Sequence, residues 1–454
     1  MTPQKANLID LLITNAVVIT MDEDQQILRN ANVVINRGQI IDVGSSQSVL
    51  GNYSAKQTID AKDMLMIPGL INTHTHIFQT FLRGARQDLP AIEWLHTAID
   101  PSVPNLGPEE TYFSTLIGCL ESIRGGTTTL LESNYANPYP KLADDVIRAF
   151  KDSGVRGIFA RGILDMGDLH KDIIQPLDAE FEDIERLINK FNSDEMISIW
   201  IAPYTIMSTS KEAFLRAREM ANRYKTHITV HAATPSTIDG SKALYGMGDI
   251  EWEASIGFLG PDVLSVHCCA PLGKNELTIL KEFDVKISHN PVSNCYLGEG
   301  IAKVTDMLEE GLCVALASDG PGSNNNQDMM AVMKTAALLQ KVVHSDPTAV
   351  TAQKVLEMAT IDGARAIGQQ DELGSIEIGK RADLVLINMD LPNTCFGYDP
   401  VGSIVYSATQ ENIDTVIING KVVLQGRQFV SIDQSAIIDK AKPIAKRFLE
   451  RSGL

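Results

Sequence analysis

The stretch Pro68-Gly69-Leu70-Ile71-Asn72-Thr73-His74-Thr75-His76 decides how this chain is read. A Pro-Gly turn opens it, an apolar β-prone run follows, and two imidazoles two residues apart close it. In an extended strand, side chains at i and i+2 point to one face. His74 and His76 can therefore reach one metal ion together, a role that neutral imidazole suits. A bare His-x-His pair also arises as a structural or surface pair, so its meaning depends on context. Here Phe78 and Phe81 follow, as where a strand end opens into a loop.

Outward from that strand, residues 67–370 alternate helical and strand patterns. Helix-like stretches run over Pro108–Arg124, 140–153, Leu177–Phe191 and 211–223. Short apolar runs lie at 64–67, 127–131, 155–159, 197–201, 228–230, 263–266, 285–288 and 313–317, eight in all. This alternation predicts an α/β fold, a (β/α)8 TIM-type barrel. An open doubly wound sheet competes, but no glycine-rich dinucleotide turn follows the first strand. The two ends differ from the middle. Ala16-Val17-Val18-Ile19-Thr20 and Ala31-Asn32-Val33-Val34-Ile35 near the start, and Thr415-Val416-Ile417-Ile418 near the end, are β-rich and turn-bounded. Residues 1–66 and 371–454 are thus expected to form one composite β-sandwich, flanking a barrel over 67–370.

Composition excludes several function classes. With 454 residues, 44% of them hydrophobic, the chain can bury a large core. A formal charge of −18 without a basic patch argues against nucleic-acid or anionic-membrane partners. No apolar run approaches the roughly 20 residues of a membrane span, and the N-terminus lacks the layout of a signal peptide. The six cysteines include no CxxC pair, which fits reduced thiols in a cytoplasmic protein.

In a barrel, chemistry gathers where strands end. His231 closes Thr229-Val230-His231, His267 closes Leu264-Ser265-Val266-His267, and Asp319 follows Ala315-Leu316-Ala317-Ser318. With His74 and His76, four of the nine histidines and one aspartate fall at candidate strand ends. Any one of them alone reads as well as a core histidine; together they read as a metal site. Imidazole and carboxylate donors suit Zn²⁺ or Fe²⁺ alike. Such an ion lowers the pKa of bound water toward neutrality, giving hydroxide as nucleophile, and Asp319 is placed to take the proton. The run Ile197-Ser198-Ile199-Trp200-Ile201 offers no lysine to bridge a second metal, so one ion is expected.

These residues, with Gly125-Gly126-Thr127-Thr128-Thr129, His289-Asn290-Pro291-Val292-Ser293-Asn294, Ser318-Asp319-Gly320 and Gly374-Ser375-Ile376-Glu377-Ile378-Gly379-Lys380-Arg381-Ala382-Asp383, carry a resemblance. Over nearly its whole length the chain resembles the amidohydrolase superfamily, in its cytosine deaminase-like branch. It is most similar there to the atrazine chlorohydrolase and triazine hydrolase group, which overlaps the methylthioadenosine/S-adenosylhomocysteine deaminases. The resemblance implies His74, His76, His231 and Asp319 as ligands of a single metal. It also implies His267 on the metal or its water, polarising the attacked group, and Glu93 as a substrate contact. It implies a small heterocyclic substrate and a homodimer or larger homo-oligomer. Reactions of the group are hydrolytic displacements at electron-poor ring carbons, mostly deaminations.

Two departures stand out. The family pattern has His-x-x-Glu on the fifth strand, its glutamate protonating the ring nitrogen, whereas this chain reads His231-Ala232-Ala233-Thr234. A threonine hydroxyl hydrogen-bonds but is no acid near neutral pH. Ile201 stands where the nucleoside deaminases tend to have histidine, which counts against methylthioadenosine and S-adenosylhomocysteine as substrates. Asn134, Arg161 and His289 are further candidates for the pocket, beside Thr234. Asn134 could equally cap a turn, and His289 could bond backbone. Arg161 could hold an anionic or carbonyl group or pair with an acidic residue at the barrel rim. Phe78, Phe81, Trp94 and Met330 could form an apolar wall or belong to the core. The leading expectation is hydrolytic deamination of an amino-substituted nitrogen heterocycle. Loss of chloride or alkylamine, or cyclic amide opening, at the same site is the alternative. An inactive barrel serving as a binding module is the alternative of another class.

Overall fold

The computed structural model describes residues 7–44, 52–167, 171–191 and 193–454. Its middle is an eight-stranded sheet whose strands neighbour one another in chain order. These are β1 (Leu70–Thr75), β2 (Thr127–Asn134), β3 (Arg156–Ile163), β4 (Ile197–Pro203), β5 (Ile228–Ala232), β6 (Val263–His267), β7 (Lys286–His289) and β8 (Val314–Leu316). All seven ladders between them are parallel. Helices such as Pro108–Arg124, Leu142–Ser153, Leu177–Phe191 and Lys211–Tyr224 fill the crossovers, so the strands are buried on both faces. Two side chains and one backbone bond staple the seam between β1 and β8. Thr73 Oγ1 donates to the Leu316 carbonyl at 3.0 Å, Asn72 Nδ2 to Ser318 Oγ at 2.7 Å, and the Asp319 N–H to the His74 carbonyl at 3.1 Å. The sheet thereby closes into the expected barrel.

The second sheet has nine strands drawn from both chain ends. Asn7–Ile19, Ile27–Asn36, Gln39–Gly44, Tyr53–Asp60 and Met64–Pro68 join Leu384–Asn388, Ile413–Ile418, Lys421–Gln425 and Gln428–Phe429. It folds back on itself, because Ile40 and Gly38 exchange backbone bonds with residues 379–382 just before Leu384. Between its layers lies a core that includes Ile13, Val18, Val33, Met66, Leu386 and Ile417. The C-terminal helix Gln434–Arg451 leaves this sheet and packs on Pro108–Arg124, with Arg451 Nη2 on Glu110 Oε1 at 2.7 Å.

One assignment needs correction. The run 64–67 is not the first barrel strand; Met64–Pro68 pairs with Leu384–Asn388 in the second sheet, and the barrel begins at Leu70. The chain crosses between sheets at Pro68-Gly69. The Gly69 N–H reaches the Asp383 carbonyl and the Leu70 N–H reaches that of Gly126. A Cβ on Gly69 would lie 2.0 Å from the Thr128 hydroxyl, so only glycine lets the strands approach there. Apolar runs on either side of that turn look alike in sequence, because apart from half-buried Met64 both are buried.

Candidate active site

At the C-terminal end of the barrel, His74 ends inside β1 and His76 lies just past it, their ring centroids 4.7 Å apart. His231 and His267 come from β5 and β6, and Asp319 from the turn after β8. Ligand atoms of His74, His76 and His231 all lie within 4.8 Å of one another. Asp319 Oδ1 is 3.5 Å from His74 Nε2 and 3.6 Å from His76 Nε2. His267 stands further back, 5.9 Å from His74 and 5.3 Å from His231 between centroids. His267 (φ 72°) and Asp319 (φ 62°) both sit in the left-handed region, where a non-glycine residue costs energy. Such strain gathers at functional sites.

Neighbouring groups orient each donor. His76 Nδ1 lies 2.6 Å from the Ser133 carbonyl and His231 Nδ1 lies 3.1 Å from the Tyr204 carbonyl. A carbonyl only accepts, so both protons sit on Nδ1 and both Nε2 atoms present lone pairs. Those two Nε2 atoms are 3.2 Å apart. Two lone pairs facing at that distance repel unless a cation lies between them. Both ring nitrogens of His74 are buried without a hydrogen-bond partner, a further cost that a ligand would remove. Asp319 is held by Ser293 Oγ and Ser323 Oγ on Oδ2, at 2.5 and 2.9 Å, and by the Gly320 N–H on Oδ1 at 2.7 Å. The donor set thus fits one divalent cation.

Electrostatics agree. Burial holds His76 down to about 3, helped by the His74 ring, and pushes His74 and His231 below the usual histidine value. All three favour the neutral, ligating form. Burial opposes ionisation of Asp319, but His74, His76 and His267 outweigh it and hold the carboxyl well below the usual range. Glu132, inside β2, accepts the Ile77 N–H and so fixes the backbone after His76; burial raises its carboxyl to about 8.

A cavity of about 270 Å³ opens above this cluster, bordered by His76, His231, His267 and Asp319. Ile92, Trp94, Leu95, Met207 and Leu297 give it apolar walls, and among the described residues neither lysine nor arginine lines it. Thr234 lines it too, but its hydroxyl caps the helix Pro235–Tyr245 by accepting the Thr237 N–H at 3.2 Å.

The other candidates lie elsewhere. Glu93 is exposed and does not border the cavity, although Ala91, Ile92, Trp94 and Leu95 around it do. Arg161 is not free for substrate: its Nε binds Asp183 and its Nη2 binds Gln175, each at 3.1 Å, with Glu180 Oε1 at 3.9 Å. It takes the rim-pairing role because three acceptors surround a buried guanidinium. Asn134 and His289 are fully buried, both ring nitrogens of His289 lack a hydrogen-bond partner among the described residues, and neither residue borders the cavity. Phe78 and Met330 belong to the core, and only Trp94 of the expected apolar wall faces the cavity. Tyr135 and Tyr204 were missed. Stacked 4.3 Å apart, they border the cavity, and Gln79 Nε2 donates to the Tyr135 hydroxyl at 3.0 Å. Each directly follows a strand end, β2 and β4, the same signal that marks the histidines.

Comparisons with known proteins fit this geometry. The 5'-deoxyadenosine deaminase of Methanosarcina acetivorans is 35% identical over 446 residues, 98% of this chain and 99% of that protein. The 5-methylthioadenosine/S-adenosylhomocysteine deaminase of Acetivibrio thermocellus is 37% identical over 441 residues, 97% of this chain and 100% of its own. Among solved structures, an adenosine deaminase from Xanthomonas campestris with bound zinc superposes with a TM-score of 0.91 at 29% identity, covering 98% of this chain and 99% of that one. The atrazine chlorohydrolase of Arthrobacter aurescens, complexed with zinc, gives 0.89 at 25% identity over 96% and 100%. The profile of the amidohydrolase family matches residues 65–423, from the last strand before the barrel into the closing strands of the second sheet, and the chain belongs to that family.

Proposed function

We propose that this protein catalyses hydrolytic deamination of an uncharged, amino-substituted nitrogen heterocycle, with one divalent metal at His74, His76, His231 and Asp319. The observation that carries the reading is the pair of Nε2 lone pairs facing across 3.2 Å at the foot of the cavity. When bound there, Zn²⁺ or Fe²⁺ supplies Lewis acidity that brings the pKa of water toward neutrality. Asp319 Oδ1, turned to the histidines, accepts the proton of the attacking water. With its Nδ1 at 2.9 Å from Asn294 Oδ1, His267 directs Nε2 to the cavity side and steadies water or the attacked group. Tyr135, Tyr204 and Trp94 offer flat aromatic surface to a ring.

The deaminase names of the relatives support amine as leaving group, and 5'-deoxyadenosine is the first nucleoside to try. One feature favours uncharged substrates over S-adenosylhomocysteine: among the described residues, no lysine or arginine lines the cavity to meet a carboxylate. A second reading, loss of chloride or alkylamine, draws on Thr234 and on the likeness to atrazine chlorohydrolase. An inactive module would have no use for strained ligand residues. We further take the protein to work in the cytosol, as a homo-oligomer; its described cysteines are unpaired, and no described helix is long and apolar enough to cross a membrane. The test is ammonia release from 5'-deoxyadenosine, aminopurines, aminopyrimidines and aminotriazines, with S-adenosylhomocysteine as the charged control. Release from a neutral substrate supports the reading. Chloride release from a chlorotriazine in its place would favour the second.

A further inference from the structure

Thr234 leaves the deaminase reading without an acid for the ring nitrogen, and the cavity wall holds a candidate outside every motif. Of the described residues bordering the cavity, only Asp319 and Glu299 carry carboxyls. Asp319 is committed to the histidines and to Ser293, Ser323 and Gly320. The Glu299 carboxyl is half-buried and has no hydrogen-bond or ion-pair partner among the described residues, so it can engage a ligand.

Its backbone, by contrast, is tied to the machinery. Glu299 follows the helix Pro291–Tyr296, whose Ser293 holds Asp319 and whose Asn294 holds His267. The Glu299 N–H returns to the Asn294 carbonyl at 3.0 Å, and the Cys269 thiol points to the Glu299 carbonyl at 3.7 Å. Glycines flank it with φ of 67° and 120°, and a Cβ on Gly300 would lie 2.9 Å from the Cys269 carbonyl. One short segment therefore orients His267, orients Asp319 and delivers Glu299 to the same cavity.

We propose that Glu299 is the acid that protonates the substrate ring nitrogen, the part that Thr234 cannot play. The inference rests on the deaminase reading above. In the addition step the water oxygen bonds to the amine-bearing carbon, Asp319 takes one water proton, and the Glu299 O–H proton passes to the ring nitrogen. In the collapse step Asp319 gives its proton to the amine, the C–N bond breaks and ammonia leaves. The new hydroxyl becomes the carbonyl, its proton returning to Glu299. Burial supports the role by raising the carboxyl above the usual glutamate value; His267 opposes that rise and Asp319 adds to it. Tyr204, across the cavity, and Cys269, behind the loop, are the other titratable groups that feel its charge.

The experiment compares wild type, Glu299→Gln, and Glu299→Gln combined with Thr234→Glu, with metal content measured in each. A neutral aminoheterocycle that wild type deaminates serves as substrate. Glu299→Gln is expected to lower kcat by about 10²- to 10⁴-fold, with metal retained and KM little changed. Because the acid acts in its protonated form, wild-type activity falls at high pH, and the variant loses that limb. Adding Thr234→Glu restores at least about tenfold, since a carboxyl returns to the cavity. A Glu299→Gln protein with metal bound and kcat within about threefold of wild type overturns the proposal. So does a large loss with the alkaline limb unchanged and no rescue, the mark of a structural role. Silence of metal-loaded wild type on every aminoheterocycle overturns the deaminase reading itself, and this inference with it.

Discussion

Replacing Asn294 by alanine isolates what a single outer contact contributes to His267. The Asn294 Oδ1 lies 2.9 Å from His267 Nδ1, and both residues are buried. Removing the acceptor leaves a buried imidazole N–H without a partner, a cost of about 1–3 kcal/mol. At about 1.4 kcal/mol per decade, that corresponds to a loss of roughly 5- to 150-fold. It agrees with the roughly 10- to 100-fold typical of contacts behind a metal site. Because His267 lies outside the cluster of His74, His76 and His231, the loss should fall on kcat/KM for ammonia release more than on metal content. Asn294→Asp keeps an acceptor at the same place and should retain more activity than alanine. Nitrogen-15 shifts of His267 would report the tautomer directly. An Asn294→Ala enzyme within about twofold of wild type, with metal bound and the tautomer unchanged, would refute the positioning argument.

Two predictions concern stability. Arg156 and Asp383 form a buried two-bond pair, 3.1 Å on each arm, joining β3 to the second sheet. Arg156→Met strands the carboxylate with the Asn419 N–H and should cost about 3–5 kcal/mol in urea unfolding. The double variant Arg156→Met/Asp383→Leu should recover most of it, and no recovery would contradict the pairing. Glu180 is raised from 4.5 to about 8 by burial, against the pull of Arg161. The native state then holds the proton longer than the unfolded chain, so this contribution is full at low pH and is lost as pH rises between those values. Glu180→Gln should therefore gain on wild type at pH 8 relative to pH 5, measured by urea unfolding at both; an equal difference at both would rule it out.

The convergence of His74, His76, His231, His267 and Asp319 was legible because strand ends in a barrel meet at one end, and each of the five closes an apolar run. The barrel was legible for the same reason, through its alternation. The first strand was misplaced because the burial that makes 64–67 apolar also makes Leu70–Thr75 apolar, and only the Pro-Gly turn separates them. Partners, unlike periodicity, leave no trace along the chain. Arg161 meets Asp183 twenty-two positions away, and nothing in its own neighbourhood announces that. Glu93 lies off the cavity lining for a converse reason: a short helix presents its neighbours to the cavity and leaves its own side chain exposed. Glu299 sits in a glycine-flanked loop with no motif, and it enters the cavity only through the fold of Pro291–Tyr296.

The most direct test is metal content measured beside ammonia release, before and after chelation, for wild type and His231→Ala. One divalent ion per chain is expected in wild type, with ammonia release that chelation abolishes and added Zn²⁺ or Fe²⁺ restores. His231→Ala should bind less metal and stay silent. A folded wild-type protein that holds no metal, or that releases ammonia undiminished after chelation, would contradict a metal site built from these histidines.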